Sequence, residues 1–569
     1  MSSTYAHYQG PASLPSRYAI ISSFSDTALP RDDDDEDDDD NAPPTPRPRR
    51  PVMGTYPRVE HPKKQSETTP LLVNQQPSVP LIEEHIDRDV SHDHDSMLSM
   101  VQQEFVILAK YASPVFVSQI LEFSLVMAPV ISIGHISTTA LAAISLGSMT
   151  ASVTAFSVIQ GLASALDTLL PAAWTSSEPR LVGLWTQRMT FVMAFALIPM
   201  YFMWFNAETL LIFLKQDPEV AHLAALYLRW ISLGLPAYAF NCISRRYFQS
   251  QGLFTVPTRI ITFAAPVNVL LNYFLVWGPR TIRLGFIGAP LATAISFNLV
   301  SIASIIYGIF FVPRTAWYPL SKRIFTGLGV LMQLGLSGVG QTASEWWAWE
   351  LVSLVASLLG PVALATQSVL LVSASTTFQA PYAVGIAASV RIGNLLGERK
   401  ARRAAATSTT TLLLALMIAA FSSTFFVVFR NSWAYMFNDD PEVVQLVGQI
   451  LPTVALFQVF DANTAVTGGI LRARGMQFTG ALLNVSAYYV LGIPLGIWLA
   501  FSCHQGLLGL WLGLTLSLVY CAVTATYLCI RADWELEVKK ATEMLKREKA
   551  RNSNGENVRS QGDIDDSDY

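Results

Sequence analysis

The chain has 569 residues, 51% of them hydrophobic and 14% charged, with a mean hydropathy of +0.37. That balance fits a polytopic membrane protein, and the formal net charge of −4 averages unlike parts of the chain. The four cysteines (Cys242, Cys503, Cys521, Cys529) lie in or beside apolar runs without paired spacing, and the histidines are scattered, so a disulfide framework, a metal site and a zinc-protease motif are excluded.

Residues 1–103 read as a disordered cytosolic tail. The acidic run Asp32–Asp40 and the Pro/Arg segment Pro43–Pro51 sit among Ser and Thr with few aromatics. The first residues, MSSTYAHYQG, are polar and no apolar h-region follows, so no signal peptide is expected. Glu67-Thr68-Thr69-Pro70-Leu71-Leu72 resembles an acidic dileucine signal of the kind sorting adaptors read.

From Glu104 onward, hydropathy gives twelve apolar spans: 105–133, 138–166, 183–205, 221–244, 256–277, 286–312, 324–358, 362–390, 405–429, 442–470, 476–501 and 507–530. With both termini in the cytosol, the inner loops carry Arg180, Arg188, Arg245, Arg246, Arg259, Arg314, Lys322, Arg323, Arg391, Arg399, Lys400, Arg402, Arg403, Arg472 and Arg474. The outer loops carry only Lys215, Arg280, Arg283 and Arg430. The positive-inside rule therefore sets both termini as cytosolic. The stretch 531–569 is a cytosolic tail that begins as a surface helix, expected to be solvated rather than lipid-bound.

The chain repeats itself. Asp217-Pro218-Glu219-Val220 recurs as Asp440-Pro441-Glu442-Val443, a shift of 440 − 217 = 223. The same shift carries Gly252 onto Gly475 and Leu141-Ala142 onto Leu364-Ala365, while Gly285 and Gly288 match Gly506 and Gly509 at a shift of 221. Six spans per copy is an even number, so both copies insert in one orientation. The expected fold is an all-α polytopic protein of twelve transmembrane helices in two six-helix lobes, 104–312 and 313–530, related by a pseudo-two-fold axis along the membrane normal.

Chemistry concentrates in span 7. The stretch Ile324–Leu359 has no Lys, Arg, Asp, Asn or His, yet it holds Glu345 and Glu350 among Trp346, Trp347 and Trp349. A charge near the bilayer centre costs about 2.5–3.5 kcal/mol on insertion scales, so these acids are expected to line a protein-enclosed cavity. Five residues separate them, which on a straight helix turns them about 140° apart. Glu345 shares its face with Trp349, which makes Glu345 the cavity acid and Trp349 or a neighbour such as Trp346 its aromatic wall. Glu122 of span 1 falls opposite Glu345 at the repeat shift. Gly327–Gly340 provides either a hinge or close helix packing. The polar residues Gln119, Asn241, Asn268, Asn272, Gln341, Gln458 and Asn463 either line a pathway or bond helix to helix.

Several segments together resemble the multidrug and toxic compound extrusion family of the eukaryotic, fungal-like type. They are GHISTTALAAISLGS (Gly134–Ser148), GLASALDTL (Gly161–Leu169), EWWAWE (Glu345–Glu350), LLGPVALATQSVL (Leu358–Leu370), AASVRIGNLLG (Ala387–Gly397) and GGILRARG (Gly468–Gly475). The resemblance covers residues 104–530. It implies two lobes that export organic compounds against cation entry, with acids in span 7 matching Glu345 and Glu350 and an acid in span 10 matching Asp461. The chain departs from animal relatives at Val372, where they carry Glu, and from the family's usual GQAYGA-like sequence at Pro171–Ser176. It lacks the Asp that sodium-coupled bacterial relatives carry near Val130–Ile131, which favours protons.

The mechanism expected from these residues is competition. An ionised carboxylate holds an organic cation, helped by a tryptophan face, and a protonated one does not. No Walker A motif occurs, so the drive is an ion gradient. Asp167 and Arg391 are pseudo-equivalent at a shift of 224; either they meet as a gating pair when the cytosolic side closes, or Arg391 simply obeys the positive-inside rule and Asp167 caps a helix turn near Pro171. No cofactor is expected. The partners are small, mainly cationic organic molecules, protons and the lipid bilayer, with sorting adaptors at Glu67, Leu71 and Leu72. A lipid flippase or another transporter of related fold is the alternative. A membrane enzyme is disfavoured because no nucleophile–base pair stands out. The dileucine-like signal places the protein at the vacuolar membrane ahead of the plasma membrane.

Overall fold

The computed structural model describes residues 96–134, 137–437 and 440–565. Of the expected tail 1–103, residues 1–95, with Glu67, Leu71 and Leu72, lie outside the described residues, and residues 97–103 are not disordered but form the start of the first helix. The first six spans are Met97–Gly134, Thr139–Trp174, Leu181–Phe205, Pro218–Ser250, Thr255–Trp277 and Gly285–Phe310. The second six are Leu328–Ser357, Pro361–Gly397, Ala401–Val428, Pro441–Ala473, Gln477–Ser502 and Gly506–Ile530. All but span 7 satisfy length and apolar composition outright. Span 7 is a 30-residue helix whose hydropathy is lowered by Glu345, Glu350, Gln333 and Gln341. Twelve membrane helices in two six-helix lobes thus carry the fold. A further helix, Trp534–Asp565, follows span 12.

The repeat is structural as well as textual. Asp217 caps span 4, its carboxylate accepting from the Glu219 and Val220 amides at 3.0 and 3.2 Å, with Pro218 at the first helical position. Asp440 caps span 10 in the same way, accepting from the Glu442 amide at 3.0 Å, with Pro441 following. An acid at the cap accepts an otherwise unpaired amide, and proline there loses no hydrogen bond. The matched pair Gly252 and Gly475 both adopt left-handed backbone, with φ of 78° and 71°, where a side chain would be strained.

Each lobe has its own apolar core. One is built around Leu166, Trp185, Trp204 and Phe297, the other around Phe457, Trp511, Leu451 and Leu518. The lobes meet at the end that bears most of the arginines. There the first half of span 1 (Leu108, Tyr111, Val115) packs against Ala383, Ala387 and Leu414 of spans 8 and 9. Span 2 crosses span 7 where Gly161 lies against Gly338 and Val339, so close that a Cβ on Gly338 would strike Ser164 and the Gly161 carbonyl. The glycine-rich part of span 7 therefore serves close packing. Thr175 Oγ1 donates to the Asn394 carbonyl at 2.7 Å, and Gln477 Nε2 to Thr168 Oγ1 at 2.8 Å, both across the lobes. Deeper in, Trp347 Nε1 donates to the Val153 carbonyl at 3.0 Å.

Candidate functional site

Span 7 runs as one unbroken α-helix from Leu328 to Ser357, so Glu345 and Glu350 stay on different faces. Asp461 of span 10 is buried at 5% exposure and lies within Coulombic reach of Glu345. Tyr488 of span 11 lies within the same reach of both acids, and Cys521 of span 12 within reach of Glu345. Span 11 is locally widened into π-helix at Ser486–Gly492, which carries Tyr488 and Tyr489. Such single-turn widenings re-aim side chains and recur at functional sites. Tyr489 donates its hydroxyl to the Ser344 carbonyl at 3.0 Å, and Asn484 donates to the Gln341 carbonyl at 2.9 Å. These two bonds pin span 11 to the turn of span 7 that precedes Glu345.

Among the described residues, no hydrogen bond or ion pair engages the carboxylate of Glu345, Glu350 or Asp461. Two nearby acids without fixed partners in a membrane-embedded lobe are costly to hold. The buried or half-buried carboxylates Glu104, Glu122, Asp167, Glu537 and Glu548 are arranged differently, each paired with an arginine. Such a pair is suited to exchanging a proton for a cation.

The other expected site residues are placed as follows. Trp349 packs edge-on to Phe457 and tilted against Trp511, with ring centroids 5.6 and 5.9 Å apart, against the second lobe's core. Trp346 and Trp347 are the exposed tryptophans of the segment, and Trp347 reaches the other lobe. Glu122 occupies the position in span 1 that matches Glu345, but it is ion-paired to Arg245, which also donates to Gln119 at 3.0 Å. The two lobes therefore carry an acid at matched places in different electrostatic states. Asn241, Asn268 and Asn463 bond to the Phe297 carbonyl, Ser296 and Thr526, so these polar residues join helices.

The expected Asp167–Arg391 pair is corrected. Asp167 is held by Arg246 at 2.9 Å and reaches Arg472 of span 10 at 3.4 Å. Arg391 is bound to Glu104 of span 1. Each residue does bridge the lobes, but with a different partner, because the arginine-rich ends meet through spans 1 and 8 and through spans 2 and 10. Glu104 went unnoticed in the sequence because it stands at the head of span 1, where an acid reads as a span boundary. Arg472 reads there as an ordinary inner-loop charge. It also lies within Coulombic reach of Glu345.

Duplicated six-helix lobes that enclose an unpartnered acid pair define a polytopic membrane transporter. A sequence model of the MatE family matches residues 114–274 and 339–498, one stretch in each half of the chain. The chain belongs to the MatE family of multidrug and toxic compound extrusion transporters. It is 38% identical over 453 residues to an uncharacterized transporter of Schizosaccharomyces pombe, covering 80% of this chain and 85% of that one. It is 35% identical over 437 residues to Protein DETOXIFICATION 12 of Arabidopsis thaliana, covering 76% and 90%. Its identity to Multidrug and toxin extrusion protein 2 of Mus musculus is 32%, over 78% of this chain and 77% of that one. The crystal structure of the eukaryotic MATE transporter AtDTX14 superimposes with a TM-score of 0.74 at 28% identity, covering 78% of this chain and 99% of the other.

Proposed function

We propose that this transporter is a proton-coupled antiporter that exports small organic cations from the cytosol by alternating access between its two lobes. The observation that carries the reading is the acid pair Glu345–Asp461, within Coulombic reach of each other and, among the described residues, not ion-paired to any arginine. Both acids ionised repel each other, so a proton or a substrate cation is the natural occupant. One excludes the other. Protons entering from the acidic side release substrate there, and loss of the proton on the cytosolic side restores affinity. The exposed indoles of Trp346 and Trp347 offer a face for a delocalised cation.

The lobes are assigned to residues 104–312 and 313–530, between a cytosolic tail at 1–103 and a cytosolic C-terminal segment at 531–569. The loop arginines support placing both termini in the cytosol. The dileucine-like Glu67, Leu71 and Leu72 support the vacuolar membrane over the plasma membrane. There the acidic lumen supplies the gradient and transport sequesters the substrate.

The test is the purified protein in liposomes carrying an imposed pH gradient, with a fluorescent organic cation and a lumenal pH dye followed together. Dye movement against proton flow, without ATP, is expected. Dye movement indifferent to the gradient would overturn proton coupling. Transfer of a labelled phospholipid between leaflets without dye movement would replace the antiporter by a lipid flippase.

A further inference from the structure

The sequence gives the C-terminal helix Trp534–Asp565 the look of a solvated appendage, yet it is docked. Trp534, Glu537, Val538, Ala541, Leu545 and Glu548 recur at three- and four-residue spacing and form one face. The apolar members of its first half pack into a cluster of the second lobe with Ile392, Leu396 and Ile470, whereas Met544 and Leu545 pack against the core of the first lobe. A buried ion pair sits at each end of this face. Glu537 accepts from Arg474 at 3.0 Å, with side chains 5% and 7% exposed, and the Arg474 guanidinium also lies over the Trp534 ring. Glu548 accepts from Arg188 of span 3 at 3.0 Å, with side chains 5% and 1% exposed. Eleven residues separate the two acids, about 16 Å of helix and three turns, so both point the same way.

Arg188 gathers more than this helix. It stacks on Trp185, donates to Thr326 Oγ1 at 3.0 Å and reaches the Arg323 carbonyl at 3.4 Å, in the segment that joins the lobes. Lys549 adds an exposed contact to Glu178 at 3.0 Å. The helix is tied to the second lobe covalently, three residues after span 12, and to the first lobe through Glu548, Lys549, Met544 and Leu545. It therefore spans the junction at the arginine-rich end, where the lobes touch.

We propose that the C-terminal helix is a strap that holds the arginine-rich ends of the two lobes together, and that release of Glu548 from Arg188 is required for that end to open. The inference rests on the alternating-access reading given above. Solvated charges at the ends of a helix are easily spared, but a buried pair that crosses two moving bodies must break whenever they part. The strap thus sets how often the cytosolic side opens, and any event that draws the helix away speeds that step.

The experiment uses the full chain with Cys503→Ser, which removes the exposed cysteine, and Ala172→Cys, which places a thiol at the buried lobe junction. Labelling by a membrane-impermeant maleimide from the arginine-rich side is timed. Glu548→Gln and, independently, Leu545→Ala are expected to raise the labelling rate roughly tenfold, a bias of about 1.4 kcal/mol. The Arg188→Glu/Glu548→Arg swap is expected to return it towards the parent rate. Unchanged labelling in both Glu548→Gln and Leu545→Ala, in protein that elutes as a single species, would overturn the strap. Labelling that responds while the parent protein shows no gradient-driven transport would instead overturn the antiporter reading and leave the strap standing.

Discussion

Arg391 of span 8 donates two hydrogen bonds to Glu104 of span 1, from Nε at 2.9 Å and from Nη2 at 2.8 Å, across the junction of the lobes. The pair is almost wholly buried, at 1% and 0% side-chain exposure, and Arg403 of span 9 adds a third bond to the same carboxylate at 2.7 Å. Two parallel bonds to one carboxylate fix both distance and orientation. The three bonds tie spans 1, 8 and 9 together at the arginine-rich end.

Removing the shared carboxylate with Glu104→Ala leaves two guanidinium groups without it in a buried site. The expected cost is about 3–5 kcal/mol, as for other broken buried ion pairs. Thermal unfolding of the purified protein should show a clear fall in melting temperature, with Glu104→Gln milder. A melting curve that superimposes on the parent would mean that the pair contributes nothing to the closed junction.

The crossing of spans 2 and 7 has no room for a methyl group at Gly338. Gly338→Ala should separate the helices there, at a cost of about 1–3 kcal/mol from overpacking. Shortening the nearest side chain with Ser164→Ala should recover part of the loss, though the Gly161 carbonyl remains in the way. Equal stability of Gly338→Ala and the parent would show that the crossing is looser than described.

Glu345→Gln keeps the shape of the side chain and removes its charge. Gradient-driven transport is expected to be lost while insertion and folding stay intact, because no other group bonds to this carboxylate. Full pH-coupled transport by this variant would assign proton handling elsewhere, with Asp461 the next candidate.

Asp461→Asn removes the like charge that faces Glu345. A carboxylate without such a neighbour gives up its proton more readily, so the pH dependence of transport should move towards acid. Retained activity with an unmoved pH profile would make Asp461 a packing residue.

Much of this molecule is legible in the sequence. All twelve spans follow from apolar run length, since a helix must cross about 30 Å of hydrocarbon and no other open structure satisfies its backbone there. The duplication follows from matched caps and glycines, whose roles are local: Asp440 caps its own helix and Gly475 needs only its own φ. The importance of Glu345 follows from its cost in an apolar run. What the sequence left open was pairing. Arg391 matched Asp167 by repeat shift, yet it binds Glu104, and Asp167 binds Arg246 and Arg472. Glu122 matched Glu345, yet Arg245 holds it. The C-terminal helix had the composition of a solvated one, and two buried ion pairs dock it. Hydropathy and periodicity report which face of a helix avoids water or lipid. Partner choice across helices hundreds of residues apart depends on their mutual rotation and depth. Those are settled only when the two cores pack, and so belong to the tertiary structure.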